Sequence, residues 1–133
     1  MSYTVWLQGS ILHPSDEVQN YLSELPGIRS DAGIFRLTDN EMELSAEIRL
    51  HRQNDSICRL EIYGAELTAD SAERLAIFTH SLALHLGWVV QDPITRQELP
   101  VEDLKRRFYG SSAGSKRSGC LGALLGMELL QRL

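Results

Sequence analysis

The feature that most constrains the fold is an apolar segment between Leu67 and Pro93. Within it, apolar residues recur at steps of three, four and seven positions, which is the spacing of one buried face of an α-helix. The stripe comprises Ala72, Leu75, Ala76, Leu82, Ala83 and Leu86, and Ile77 and Leu84 widen it. A helix with such a wide apolar face must be covered along much of its length, so this segment has to lie inside a larger core.

Both ends of this helix carry recognisable signals. Asp70 and Glu73 have the spacing of a capping box, so we expect the helix to begin between Thr68 and Asp70. Gly87 supplies the left-handed residue that commonly ends a helix. The apolar, β-branched run at residues 88–90 then predicts a short strand.

Before this helix the apolar residues follow a two-residue repeat, which predicts antiparallel strands with one dry face. Strands are predicted over residues 3–12, 34–37, 42–50 and 58–63, and a helix over residues 13–25. This order predicts an α+β fold. Its antiparallel sheet of four to five strands would carry two helices on one face, in a ferredoxin-like or split βαβ arrangement, and C-terminal helices would follow.

The chain of 133 residues has the length of one domain with its own core. Residues 1–109 are predicted to form the α+β domain, and residues 110–119 have the composition of a flexible linker. The segment from Cys120 to Leu133 is apolar, which predicts a C-terminal helix that cannot stay exposed. We expect it to dock on the body, on a partner, or on a second copy of the chain as a homodimer.

Charge is distributed unevenly along the chain. Up to Leu104, seven arginines and no lysine stand against seventeen acidic residues, a net charge of −10, and the rest carries +5. An acidic body disfavours unspecific adhesion to nucleic acid or anionic lipid and favours a partner with a basic surface. Acidic residues that only keep a protein soluble would produce the same balance.

Several classes of protein are disfavoured by what the sequence lacks. No run of about 18 apolar residues is present, so neither a transmembrane helix nor a membrane partner is predicted. The first residues lack the basic start of a signal peptide, and the two cysteines, Cys58 and Cys120, predict no disulfide framework. A cytoplasmic location is the resulting expectation.

The histidines do not have the spacing of a metal site. His80 and His85 are five positions apart, which does not place them on one helical face, and no cysteine or acid completes a set with His13 or His51. No metal and no cofactor are predicted. An enzyme that used His13 or His51 with Asp92 would lack a nucleophile, so no catalytic residue is assigned.

Two further motifs are more simply explained by structure than by chemistry. Cys58 is predicted to point into the core beside Leu60 and Ile62, where a thiol is unreactive. The glycine-rich run at residues 110–119 lacks the Gly-Lys-Ser/Thr order of a phosphate loop.

A basic cluster lies near the end of the domain, next to Phe108 and Tyr109. Such a composition is typical of a small nucleic-acid or anion patch. A capped helix end followed by a solvated linker explains the same residues, and the acidic body opposes nucleic-acid affinity, so no nucleic-acid partner is predicted. The cluster comprises Lys105, Arg106, Arg107, Lys116 and Arg117.

An acidic run leads from a predicted turn onto the polar face of the predicted sheet, with two aromatic residues nearby. Anions combined with aromatic anchors are used by interfaces that engage a basic partner. A solvated sheet face explains the pattern as well. The predicted partner-binding residues are Asp39, Glu41, Glu43, Glu47, Glu61, Tyr63 and Trp6.

With its small size, acidic body, half-open sheet and lack of a catalytic set, the chain resembles the small cytoplasmic immunity proteins with which bacteria neutralise toxins. The resemblance is one of general character over residues 1–108, since no motif of an immunity family is matched and no family site is carried over. It implies a non-catalytic protein-binding module that blocks a basic toxin or effector surface. The alternative is a dimeric ferredoxin-like domain that binds a ligand or has a regulatory role.

Overall fold

The computed structural model describes residues 2–31, 34–41 and 43–117. The elements follow in the order β1 (Ser2–Pro14), α1 (Ser15–Glu24), β2 (Ile28–Asp31), β3 (Ile34–Asp39), β4 (Leu44–Gln53), β5 (Ser56–Ala65), α2 (Ala69–Leu86), β6 (Val89–Gln91) and α3 (Val101–Arg117). The predicted α+β class is confirmed. None of the described helices is long and apolar enough to cross a membrane.

The strands form one antiparallel sheet of six strands in the order β2-β3-β4-β5-β1-β6. At its centre, β1 and β5 place Val5 opposite Ile62 and Leu7 opposite Leu60. All four side chains are fully buried, and each contributes about 1.5–3 kcal/mol through removal from water. The strand count exceeds the predicted four to five, and the ferredoxin-like layout stays a prediction.

β2 is the strand that the sequence analysis missed. Three of its four residues are exposed, so it shows no alternation of apolar and polar residues. Its pairing places Ile28 opposite Leu37 and Ser30 opposite Phe35. The conformation of β2 therefore depends on hydrogen bonds to the edge of β3 more than on its own residues.

One face of the sheet is dry and packs against the helices. Buried residues from all three helices join the inward residues of the strands in a single core cluster. Examples are Leu22 of α1, Leu75 of α2 and Phe108 of α3. The opposite face of the sheet is therefore the polar one.

α2 confirms the predicted helix, but its cap differs from the predicted one. Ser71 N donates to Thr68 Oγ1 (3.0 Å), and Thr68 N donates to Ser71 Oγ (2.8 Å). The predicted box of Asp70 and Glu73 is wrong, because Thr68 has the extended backbone of an N-cap and Asp70 already lies in the first turn. Gly87 ends the helix as predicted, in the left-handed region with φ of 70°.

Cys58 does not point into the core as predicted. β4 and β5 pair His51 with Arg59 and Arg52 with Ile57, so Cys58 is the extra residue of a β-bulge. The bulge shifts the inward position by one residue, and Ile57 occupies it, fully buried. Cys58 is partly buried, and its Sγ donates to the carbonyl of His51 (3.4 Å).

α3 extends into the segment that was predicted to be a flexible linker. Its backbone stays helical through residues 110–117, although the glycines and serines of this segment predicted a linker. Those residues lower helix propensity by up to about 1 kcal/mol each without forbidding the helix. The predicted helix from Cys120 to Leu133 lies outside the described residues, as does Met42 of the predicted strand at 42–50.

Gly64 provides a test of the packing between the sheet and its helices. A Cβ there would lie 2.9 Å from Leu75 Cδ2 and 3.1 Å from Leu67 Cδ1. We expect Gly64→Val to lower the free energy of unfolding by about 1–3 kcal/mol, because the added methyl groups displace these side chains. Urea denaturation followed by circular dichroism measures the change.

Gly110→Ala is the matched control for this variant. A Cβ at Gly110 would meet nothing within 4 Å, so we expect stability to stay level or to rise by up to about 1 kcal/mol. A Gly64→Val protein as stable as the unmodified one would show that the core is looser than described.

Candidate functional site

The candidate site is the polar face of the sheet, which we call the open face. Since opposed residues of antiparallel strands share a face, the register arranges its side chains in three rows across the strands. The first row is Arg29, Arg36, Glu47, Tyr63 and Thr4. The second row is Arg49, Glu61, Trp6, Gln91 and Glu98. The third row is His51, Arg59, Gln8 and Val89.

The open face gathers most of the arginines of the acidic body. Four of the seven arginines before Leu104 lie in these rows, and Arg96 reaches the face from the loop after β6. Among the described residues, the carboxylates of the face are Glu47, Glu61 and Glu98 of these rows and Asp31, which is two positions from Arg29 on β2 and so shares its side of the sheet. With five arginines against four carboxylates, the face is close to neutral while the body as a whole carries −10.

Glu47 is held between two arginines of its own sheet. Arg36 Nη1 lies 3.2 Å from Glu47 Oε2, and Arg49 Nη2 lies 3.1 Å from Glu47 Oε1. Both arginine side chains are about half exposed, so each pair contributes at most about 1 kcal/mol. The pairs nevertheless occupy both oxygens of this carboxylate.

Glu61 accepts a hydrogen bond from Trp6 and lies near His51. Trp6 Nε1 donates to Glu61 Oε2 (3.1 Å), and His51 Nε2 lies 3.5 Å from Glu61 Oε1. Within the described part of the chain, His51 Nε2 is buried without a hydrogen-bond partner. The aromatic residue at the centre of the open face is therefore fixed through a carboxylate of the neighbouring strand.

Trp6 is flanked by two guanidinium groups. The guanidinium carbon of Arg59 lies 3.8 Å from the centroid of the Trp6 ring, and that of Arg96 lies 5.0 Å from it. Both distances fall in the range of cation–π attraction, worth about 0.5–1 kcal/mol at exposed sites. Arg59 Nε also donates to Gln8 Oε1 (3.0 Å), and Gln8 Nε2 donates to Gln91 Oε1 (3.0 Å).

The seven residues predicted to bind a partner form two separate groups. Trp6, Glu47, Glu61 and Tyr63 lie together on the open face, as described above. The other three surround the β3–β4 turn, where Asp39 Oδ2 lies 4.0 Å from Arg74 Nε of α2. Glu41 and Glu43, with Thr68 and Asp70, line a depression of about 390 Å³ at the start of α2.

Glu43 belongs to that second group because it does not lie on a strand. Its φ of 55° places it in the left-handed region, and β4 begins at the next residue, Leu44. The sequence pattern extended the strand back to residue 42, so it placed the Glu43 side chain on the polar face of the sheet.

Asp92 holds the loop that carries Arg96, although the sequence analysis gave it no binding role. Its Oδ1 accepts hydrogen bonds from the backbone of Ile94 (2.8 Å) and Thr95 (2.9 Å). Its backbone carbonyl accepts from Arg96 N (2.8 Å), whose φ of 63° is unusual for a residue other than glycine. This turn carries the Arg96 guanidinium to the open face.

The same carboxylate connects the sheet to α3. Tyr3 Oη donates to Asp92 Oδ2 (2.6 Å), and Arg107 Nη1 lies 2.8 Å from that oxygen. Burial opposes ionisation of Asp92, but the Tyr3 hydroxyl, the two backbone amides and the Arg107 charge outweigh it and lower its pKa to about 2. Burial and then the bond to Asp92 raise the pKa of Tyr3 to about 12, against the Arg107 charge.

The predicted basic cluster is largely paired within the chain. Lys105 Nζ lies 3.3 Å from Glu102 Oε1 and 3.8 Å from Glu73 Oε2, and Arg106 pairs with Asp103. Together with the Arg107–Asp92 pair, these contacts engage all three cations of the first part of the cluster. The side chains of Lys116 and Arg117 lie outside the described part of the structure.

The histidines lie apart from Asp92. His13 Nε2 is 2.7 Å from the carbonyl of Leu86, and His80 Nε2 is 2.7 Å from that of Leu99. In the described ranges, no group of three or more His, Cys, Asp or Glu residues is arranged to hold a metal ion.

Comparisons of the chain with protein-family models, curated proteins and solved structures found no match.

Replacing Asp92 tests its role as the connection between β1, the β6–α3 loop and α3. We expect Asp92→Asn to lower the free energy of unfolding by about 1–3 kcal/mol, because Tyr3 and the partly exposed Arg107 lose a charged acceptor. Thermal unfolding followed by circular dichroism measures the effect. Asp103→Asn, which breaks an exposed pair with Arg106, is the control and should change stability by less than about 1 kcal/mol.

The lowered pKa of Asp92 also predicts how stability depends on pH. Its ordinary value is 3.8 and its value in the folded protein is about 2, so its ionised form favours folding above about pH 4. We expect about 2 kcal/mol of stability to be lost between pH 4 and pH 2 through this group. Urea titrations at several pH values should show a shallower slope in Asp92→Asn; equal slopes would contradict the assignment.

Proposed function

We propose that this protein is a non-catalytic binding module that engages another protein through the open face of its sheet. The observation that supports it most directly is the placement of Trp6, Tyr63 and five arginines on one face, outside the core. Tryptophan, tyrosine and arginine are the residues that most often dominate the binding energy of protein interfaces. Lysine, which is depleted at interfaces, is absent from the chain before Lys105.

The geometry of the open face also favours recognition by preorganised side chains. Hydrogen bonds and ion pairs within the face fix Trp6, Arg59, Arg36 and Glu47 before any partner arrives. Side chains that are already ordered lose less conformational entropy on binding, so more of their contact energy appears as affinity.

A single-stranded nucleic acid is a less suitable occupant of this face. Proteins that bind such strands offer free aromatic rings for base stacking and a basic groove for the backbone. Here guanidinium groups already lie over the Trp6 ring, and the body of the chain is acidic. Tyr63, which is 37% exposed, is the aromatic residue of the face that remains open for such contacts.

The immunity-type function implied by the acidic body requires carboxylates that can meet a basic toxin surface. On the open face, Glu47 is paired with two arginines and Glu61 accepts a hydrogen bond from Trp6, which disfavours this use of the face. Around the β3–β4 turn, Glu41 and Glu43 are exposed and offer a second surface to which a basic partner can bind. The open face is the better-supported interface because it combines aromatic anchors with ordered arginines.

We also propose that β1, α1, β4, β5, α2 and β6 form a ferredoxin-like core, to which β2 and β3 are added at one edge. The order β4-β5-β1-β6 and the position of both helices in the chain support this arrangement. A dimer formed through the open face is the alternative function for such a core, and the experiment below distinguishes it.

Site-specific photocrosslinking in cells of the native host tests the proposal. Benzoylphenylalanine in place of Tyr63 should form a crosslink to another protein, whereas the same group in place of Asn20 on α1 should not. Mass spectrometry of the linked peptides identifies the partner and its contact surface. A crosslinked second copy of this chain would replace the proposal with the dimer, and equal products at both positions would refute it.

Charge reversal shows whether the crosslink depends on the arginines of the open face. We expect Arg29→Glu with Arg49→Glu to reduce the Tyr63 product at least tenfold, because the side chains that contact the partner change sign. Arg52→Glu with Arg106→Glu changes the net charge equally, away from the open face, and should leave the product unchanged. Circular dichroism checks that both double variants are folded.

A further inference from the structure

The arginines of the open face differ in how they are neutralised. Arg36 and Arg49 share Glu47, as described above. In the described part of the chain, no carboxylate lies within 4 Å of the guanidinium nitrogens of Arg29, Arg59 or Arg96. Of these three, Arg59 and Arg96 are the cations that lie near the Trp6 ring, with guanidinium carbons 3.8 Å and 5.0 Å from its centroid.

The protein holds the guanidinium group of Arg59 and the backbone of Arg96 in place. Arg59 is fixed by its Nε bond to Gln8 and by the Trp6 ring, so its terminal Nη atoms keep no acceptor among the described residues. Arg96 is carried by the turn that Asp92 closes, with a φ of 63° that is uncommon for a residue other than glycine. Two like charges held near one ring repel each other unless an anion joins them.

We propose that Arg59, Trp6 and Arg96 form a carboxylate-binding subsite, and that it receives an acidic side chain from a segment of the protein partner. The proposal rests on the binding function proposed above and names the chemistry that the partner must supply. A carboxylate would accept charge-assisted hydrogen bonds from the free Nη atoms of both arginines. The Trp6 ring would shield these bonds from water on one side, which strengthens them.

Charge complementarity favours a protein carboxylate over the phosphates of a nucleic acid. The subsite offers two unneutralised cations, while the rest of the body repels an extended polyanion. A single acidic side chain, delivered by a partner that also contacts Tyr63 and Arg49, needs only this local charge. The subsite therefore fits an acidic residue at the centre of a protein interface.

Titration with acetylated, amidated hexaglutamate, followed by ¹H–¹⁵N NMR, tests the subsite. The chain has two tryptophans, so the indole signal of Trp6 reports on the subsite and that of buried Trp88 is an internal control. We expect the Trp6 indole and the Nε–H signals of Arg59 and Arg96 to shift, with the Trp88 signal unchanged. Affinity should fall as salt rises from 50 to 200 mM, since the contacts are ionic.

Single substitutions then assign the binding to these side chains. We expect Arg59→Gln and Arg96→Gln each to weaken hexaglutamate binding about tenfold. Arg52→Gln removes the same charge from the β4–β5 hairpin and should leave affinity within about twofold. Arg96 lies in an exposed loop, so its variant tests the subsite even if Arg59→Gln disturbs the sheet.

Two further ligands define what would overturn the proposal. Hexaglutamine, the neutral analogue, should leave the Trp6 signal in place. If an oligothymidylate of six nucleotides shifts the same signals at lower concentration, the subsite binds nucleic acid instead. If hexaglutamate shifts none of these signals, the carboxylate-binding subsite is refuted. If the Tyr63 crosslink persists when both arginines are replaced by glutamine, the subsite is wrong while the binding module stands.

Discussion

Asp92 is a carboxylate that is 4% exposed and yet ionised, because Oδ1 accepts hydrogen bonds from its own loop and Oδ2 is bound by Tyr3 and Arg107. Tyr3 reaches it from the central strand β1, Arg107 from α3, and two amides from its own loop. A buried charge is tolerated only when it is paired and hydrogen-bonded, so these three elements must meet in one arrangement. The position of Arg96, and with it the cationic part of the open face, depends on this arrangement.

The open face illustrates how net charge and local charge can differ. The chain is acidic overall, but its strands place arginines in outward rows, where Glu47 and Glu61 are used to hold Arg36, Arg49 and Trp6 in place. Carboxylates that orient their neighbours are less available to a partner than cations without a counterion. The local pairing, more than the total of −5, therefore determines which partner chemistry the face can accept.

Residue types were easier to predict than their grouping. Trp6, Glu47, Glu61 and Tyr63 were assigned correctly to the polar side of the sheet, since strand alternation fixes this. Asp39, Glu41 and Glu43 were placed with them, although the turn directs them toward the start of α2. The arginines near Trp6 were missed as a group because they come from β5 and from a loop 37 positions further along the chain.

The sequence by itself determined the elements whose own side chains carry a periodic signal: α2 with its glycine end, the long strands β1, β4 and β5, and the α+β class. These depend on local spacing, which a chain displays before it folds. Only the tertiary structure decided the pairing of β2, the bulge at Cys58, the burial of Asp92 and the convergence of Arg59 and Arg96 on Trp6. The first two arise from strand pairing across hairpins and the last two join residues that are distant along the chain, and the energies of all four come from contacts that exist only once the sheet and helices have assembled.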